Sequence, residues 1–166
     1  MTHKNTPRLV TVPLDDKPIM HRVFQLYLYE LSIYSDDEIN AQGTFDYPYF
    51  DAYWTADNRK LFLIRYNETL AGFVMLRLKI EDTVFNRQVN SIAEFFVMNR
   101  YRRYGIGESV AQQCWSRYPG RWSLMAYTEN LPAVAFWQKT ISAYAQSGQY
   151  ETKTIDDKIH FYFTAG

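Results

Sequence analysis

Arg102-Arg103-Tyr104-Gly105-Ile106-Gly107 is the stretch of this chain whose residue types and spacing are best suited to chemistry. It follows the apolar run Ile92–Met98 and leads into a helical pattern over Glu108–Tyr118. A strand, a glycine-bearing turn and a helix in that order leave several backbone N–H groups unpaired at the positive end of a helix dipole. Such a terminus holds phosphates with few charged side chains.

Glycine spacing alone does not name the ligand. A phosphate loop of the Gly-x-x-x-x-Gly-Lys-Ser/Thr kind needs a lysine after Gly107, and there is none. A dinucleotide fingerprint needs a third glycine where the chain has Val110, and it normally follows the first strand of its domain. Glycines that serve only the geometry of a strand-to-helix turn stay open as an alternative.

The elements that position this turn are read from periodicity. Leu9–Val12 reads as a short strand. Asp15 or Asp16 caps a helix with Pro18 in its first turn, and Ile19, Val23, Tyr27 and Leu31, with Phe24 and Leu28, form its apolar face. The polar stretch Ser35–Gly43 comes next. The aromatic segment Phe45, Tyr47, Tyr49, Phe50, Tyr53 and Trp54 fits a substrate wall and a satellite core equally well, and its structure is left open. Leu61–Tyr66 and Leu70–Ile80 pair as strands about the turn Asn67-Glu68-Thr69, with a bulge at Gly72 and a polar connection over Asp82–Gln88. Ile92–Met98 is a central strand. Beyond the glycine turn a helix presents Ile106, Val110, Cys114 and Tyr118, and Pro119-Gly120 stops it. Trp122–Tyr127 is a strand. Asn130 and Pro132 open a helix carrying Ala133, Phe136, Trp137 and Ile141. Gln149–Ile155 and Lys158–Thr164 close the chain as strands about Asp156-Asp157. The order β-α-(α)-β-β-β-α-β-α-β-β predicts an α/β or α+β domain with helices on both sides of a sheet.

Composition narrows the class further. The chain has 166 residues, enough for one domain with a sizeable core, and 47% of them are hydrophobic. Lys+Arg and Asp+Glu number 18 each, so there is no general basic footprint for nucleic acid. Cys114 is the single cysteine, which excludes an intrachain disulfide and a multi-cysteine zinc site and reads as core packing. His3, His21 and His160 lack metal-ligand spacing. No apolar run is long enough to span a bilayer, and Met1–Arg8 lacks the apolar core of a signal peptide. The expectation is a cytoplasmic protein without metal, membrane or nucleic-acid partner.

Glu94-Phe95-Phe96-Val97, then Asn99, then Arg102-x-x-Gly105-x-Gly107 resembles the acyl-coenzyme A signature of the GNAT superfamily of N-acetyltransferases. The segment Asn130-x-x-Ala133-x-x-Phe136-Trp137-x-Lys139 resembles a second element of that family. The resemblance covers about Leu61–Thr164 well. It implies a single domain over residues 1–166, with a mixed, mostly antiparallel sheet of about seven strands flanked by helices. It further implies that acetyl-coenzyme A lies where the fourth and fifth strands part. Backbone groups of Phe96, Val97 and Met98 would then pair with the pantetheine arm. The amides of Arg102, Arg103, Tyr104, Gly105, Ile106, Gly107 and Glu108 would hold the pyrophosphate. Gly105 and Gly107 would let phosphate oxygens approach closely, and Arg102 and Arg103 would either add charge or stand solvated. Asn130, Phe136 and Trp137 complete the cofactor set, with Asn130 either bonding the arm or capping its helix.

The implied reaction is direct attack of a primary amine, of a small molecule or an exposed protein, on the thioester. Glu94 is the candidate general base; a structural glutamate is the alternative. Trp137 stands where many relatives have a tyrosine acid, and an indole is no practical acid. That leaves Tyr101, Tyr104, Tyr144 or Tyr150, or unaided departure of the thiolate. It also leaves a non-catalytic acyl-coenzyme A-binding module as the competing reading. Asn99 replaces a proline common before the turn. The acidic run Asp36-Asp37-Glu38 and the aromatic segment would suit a small cationic or aromatic amine. A homodimer is compatible with the sequence.

Overall fold

Local turn chemistry explains much of the sheet. Asn67 and Glu68 both have positive φ, 49° and 61°, so they alone form the two-residue hairpin turn, and Thr69 already belongs to the next strand. The Asp82 carboxylate accepts the N–H groups of Val84 (2.8 Å) and Phe85 (3.1 Å), which tightens the next connection to four residues. The strands therefore run further into the polar 82–88 stretch than its composition suggests. Asp156, at φ 52°, and Asp157 make the last turn as expected.

The computed structural model describes residues 5–166; His3 lies outside them. The elements are β1 (Arg8–Thr11), α1 (Lys17–Leu31), β2 (Arg59–Tyr66), β3 (Thr69–Asp82), β4 (Arg87–Val97), α2 (Ile106–Arg117), β5 (Gly120–Tyr127), α3 (Leu131–Tyr144), β6 (Tyr150–Ile155) and β7 (Lys158–Ala165). They form one seven-stranded sheet in the order β1-β2-β3-β4-β5-β7-β6. Every neighbouring pair is antiparallel except β4–β5. This is the mixed, mostly antiparallel α/β architecture expected from the sequence.

Side-chain alternation sends the two faces of β2, β3 and β4 into two cores. On one face Phe62, Ile64, Val74, Leu76 and Ile92 pack against Val110, Cys114 and Trp115 of α2 and Trp137 and Ile141 of α3. On the other, Leu61, Leu63, Phe73, Met75 and Phe96 pack against Met20, Val23 and Phe24 of α1. Cys114 is fully buried, and burial pushes its thiol up to about 12. Among the described residues no helix is long and apolar enough to cross a membrane.

Three expectations are corrected. No second helix follows α1: the aromatic segment forms only a short 3-10 turn, Asp51–Trp54, and its Phe50 and Tyr53 join the α1 core. The face of α1 is rotated, with Met20 buried and Ile19 at the surface, because the helix packs through Met20, Val23 and Phe24. The bulge expected at Gly72 falls next to it. Ile64 pairs with Gly72 and Arg65 with Leu70, so Ala71 is the extra residue. Gly72 serves a different need. A Cβ there would lie 1.9 Å from the carbonyl oxygen of Phe96 on β4.

Backbone cannot yield as a flexible side chain would. Gly72→Ala is therefore expected to destabilise the protein by about 3 kcal/mol or more, in the range of strained core substitutions. Urea unfolding checks this, and a loss below about 1 kcal/mol contradicts the close approach.

Candidate active site

β4 and β5 begin as a parallel pair and then part. They are in register only at Asn90–Trp122 and Ser91–Ser123. Immediately afterwards β4 carries a bulge: Met75 of β3 faces Glu94 and Leu76 faces Ile92, so Ala93 is extra. β5 stays with β7 as far as Tyr127–Lys158. The Ile92–Val97 edge of β4 thus has no strand on its β5 side. Phe95 enters the wedge toward α3, with ring centroids 6.0 Å from Phe136 and 5.1 Å from Trp137. Gly72 lets β3 hold the far end of β4 closely, and the Met98 N–H donates to the Ala71 carbonyl at 2.8 Å.

The chain leaves β4 through Met98 and a 3-10 turn at Asn99–Tyr101, then enters α2 through two left-handed residues, Arg103 (φ 69°) and Gly105 (φ 75°). Gly105 caps the helix, so α2 begins at Ile106, two residues earlier than its polar pattern suggests. The first intrahelical bond runs from Ser109 to Gly105. The amides of Ile106, Gly107 and Glu108 precede it and project from the helix end without an intrahelical partner. Left-handed turns feeding such an end make an anion-binding concavity.

The two glycines divide the work differently from the expectation. A Cβ at Gly105 meets nothing within 4 Å, so that surface is open and the requirement is the positive φ. A Cβ at Gly107 would come within 3.1 Å of the Phe136 ring. Gly107 accommodates α3 as well as leaving its amide bare.

Arg102 does not face the helix end as a free cation. Its Nε donates to the Val97 carbonyl at 2.7 Å, and its two terminal nitrogens grip the Glu30 carboxylate at 2.6 Å each. It ties the turn to the last turn of α1. Arg103 and Tyr104 are exposed. Asn130 caps α3, its side-chain oxygen accepting the Ala133 N–H at 3.3 Å. Trp137 is 6% exposed and packs between Phe95 and Phe136.

Glu94 is half-buried on the α1 face of β4, beneath the parting strands. The Tyr27 hydroxyl donates to one carboxylate oxygen and the Tyr47 hydroxyl to the other, the latter at 3.1 Å. Burial raises the Glu94 pKa to about 7, and the two phenol bonds hold it below a still higher value. Burial and the neighbouring carboxylate raise both phenols well above their ordinary range, so they stay protonated donors at neutral pH. Tyr127, at the end of β5, is raised by burial and by Asp37, Asp157 and Glu94.

Tyr27, Tyr47, Tyr127 and Glu30 were not assigned site roles by sequence reasoning. Tyr27 looks like another apolar position of α1, and Tyr47 was visible only as part of the aromatic wall. Of the candidate acids, Tyr101 packs on Tyr66, Tyr104 is 63% exposed, Tyr144 bonds Ser116, and Tyr150 packs on Phe161.

A sheet parted after one short parallel contact, with a helix N-terminus at the mouth and a carboxylate beneath, leaves an opening whose backbone donors suit an extended, phosphate-bearing ligand. The chain belongs to the GNAT family of acetyltransferases: residues 27–141 match the model of the "Acetyltransferase (GNAT) family". Solved structures agree in fold. An acetyltransferase from Thermus thermophilus is 16% identical, with a TM-score of 0.73 over 98% of this chain and 99% of that one. The spermidine N-acetyltransferase of Vibrio cholerae, in complex with CoA and spermine, is 12% identical, with a TM-score of 0.63 over 96% of each chain. The PaiA N-acetyltransferase of Thermoplasma acidophilum, in complex with coenzyme A, is 9% identical, with a TM-score of 0.63 over 96% of this chain and 99% of that one. A comparison with curated proteins found no match.

The raised Glu94 pKa has a consequence for stability. The folded state favours the protonated acid, so this contribution is fully present below the unfolded carboxyl pKa and is lost as pH rises through about 7. Glu94→Gln should therefore raise the melting temperature more at pH 8 than at pH 5. Equal shifts at the two pH values would show that the carboxylate is not held in a desolvating site.

Proposed function

We propose that the protein is an N-acetyltransferase that moves an acetyl group from acetyl-coenzyme A to the primary amine of a small molecule. The reading rests chiefly on Glu94, a carboxylate tuned near neutrality directly under the β4–β5 opening. Its companions are the bare amides of α2, which suit a pyrophosphate, and the β4 edge up to Phe96 and Val97, which has no strand on its β5 side and suits an amide-bearing arm. Arg102 already occupies the Val97 carbonyl, and Ala71 and Tyr101 occupy the backbone groups of Met98. The CoA complexes of the similar folds support the same cosubstrate.

The amine must lose a proton to attack. In this reading Glu94 takes it, directly or through water, as the nitrogen bonds the thioester carbonyl carbon. The C–S bond then breaks and the sulfur leaves as a thiolate, which takes up one proton. Trp137 supplies none. Tyr127, at the end of β5, is the phenol we suggest for that proton, its raised pKa making it a weak donor that would need a proton back from solvent. Tyr27 and Tyr47 hold the base in orientation throughout. The single domain over residues 1–166 and the exposed position of Arg103 beside the helix end belong to the same proposal.

Thiol release measured from pH 5.5 to 9 with a panel of primary amines tests it. The wild type should show an acidic limb near pH 7, and Glu94→Gln should lower kcat/KM by about 100-fold and abolish that limb. An unchanged profile in Glu94→Gln removes Glu94 as the base. Absence of acetyl-coenzyme A binding at millimolar concentration in calorimetry removes the cosubstrate assignment.

A further inference from the structure

Next to the carboxylate, on the same face of the sheet, stands a group of donors without an anionic partner among the described residues. Arg59 of β2 and Arg77 of β3 are direct cross-strand partners. Like charges placed so are mutually destabilising. Elsewhere the fold answers such a pairing: Arg8 and Arg65 are also cross-strand partners, and there Glu68 takes Arg8 on its carboxylate at 2.6 Å and Arg65 on its carbonyl at 3.4 Å. Among the described residues, neither Arg59 nor Arg77 is in an ion pair.

The third member is Tyr53. It is 7% exposed, and its hydroxyl is fully shielded from solvent without a hydrogen-bond partner. A buried hydroxyl left so costs free energy comparable with a lost hydrogen bond. The Arg59 guanidinium lies over rings, 5.2 Å from the centroid of Tyr53 and 5.3 Å from that of Tyr49, and its proximity to the Tyr53 hydroxyl opposes the burial that raises this phenol. Two phenol faces hold the guanidinium plane and leave its N–H edge for another ligand. Arg59 and Arg77 both act electrostatically on the Tyr53 phenol. Burial raises that phenol, which keeps it a neutral donor.

The register places this group relative to the chemistry. Met75 faces Glu94, and Arg77 lies two residues further along β3 on the same side, about 7 Å away. Tyr47 links the two places: its hydroxyl bonds Glu94, and its phenol feels Arg59. The Asp36–Glu38 run, by contrast, stands in an exposed loop.

We infer that Tyr53, Arg59 and Arg77 form an anion subsite of the acceptor pocket, so that the preferred acceptor is an amine carrying a carboxylate or phosphate group. The two guanidinium groups would together neutralise that group while its amine faces Glu94, with the buried Tyr53 positioning Arg59 from beneath. The inference deepens the acetyltransferase reading and rests on it for the position of the amine. Recognition of an anion here keeps the aromatic part of the sequence expectation and reverses the sign of the charge.

Binding of acetylated product mimics separates the inference from turnover. The protein saturated with coenzyme A is titrated in a calorimeter with N-acetylphenylalanine and its amide, and with N-acetylglucosamine 6-phosphate and N-acetylglucosamine. At least one anionic member is expected to bind roughly tenfold or more tightly than its uncharged partner. The pair with the larger gap identifies carboxylate or phosphate as the source. Arg59→Gln and Arg77→Gln should each cut that gap severalfold, and Tyr53→Phe, which keeps the ring, should narrow it. Thermal unfolding of each variant confirms that it is folded. Equal binding within both pairs overturns the inference, as does a gap that survives in both arginine variants. Glu94→Gln should keep the gap while losing turnover. A wild type that shows the gap but acetylates no amine refutes the catalytic reading and not the subsite.

Discussion

The parting of β4 from β5 is the constraint on which the rest of the molecule depends. A parallel pair that continued would satisfy its own backbone groups and leave no cleft. Here the pairing ends after two residue pairs, and three features hold it open. The extra residue Ala93 bends β4, Gly72 lets β3 draw the far end of β4 to itself, and Phe95 with Phe136 and Trp137 fills the wedge on the α2–α3 side. The bulge also sets which residue faces which core. It puts Glu94 on the α1 side and Phe95 on the other, so the polar chemistry and the packing of the wedge are separated by the thickness of the sheet.

Glu94 shows how a fold tunes an acid without a charged partner. Desolvation alone would leave it a neutral acid over most of the useful pH range. Two phenols, one from α1 and one from the loop before the 3-10 turn, stabilise the carboxylate enough to bring it back near neutrality. Both phenols are themselves raised by burial, so they remain protonated donors to it.

Strong periodicity made the strands and the three α-helices legible in the sequence, and the glycine turn marked the helix end. Less was legible where local pattern and tertiary contact disagree. Gly107 looks like a ligand-facing glycine, yet its missing Cβ also makes room for Phe136, a residue distant in sequence. Arg102 reads as a phosphate ligand, but its partner Glu30 lies 72 residues away. The aromatic segment defeated a choice between wall and core because it is both: Phe50 and Tyr53 are buried with α1, while Tyr47 reaches Glu94. No periodicity encodes a hydroxyl meeting a carboxylate across 67 residues, as Tyr27 and Glu94 do.

The Arg102–Glu30 clamp ties the two ends of the opening to one another. Glu30 lies one helical turn beyond Tyr27 on α1, so the segment that presents the amides at one end is joined by a single helix to the donor that orients the acid at the other. An anion that tightened that segment would, through this one helix, also bear on the protonation of Glu94, and the effect would be reciprocal.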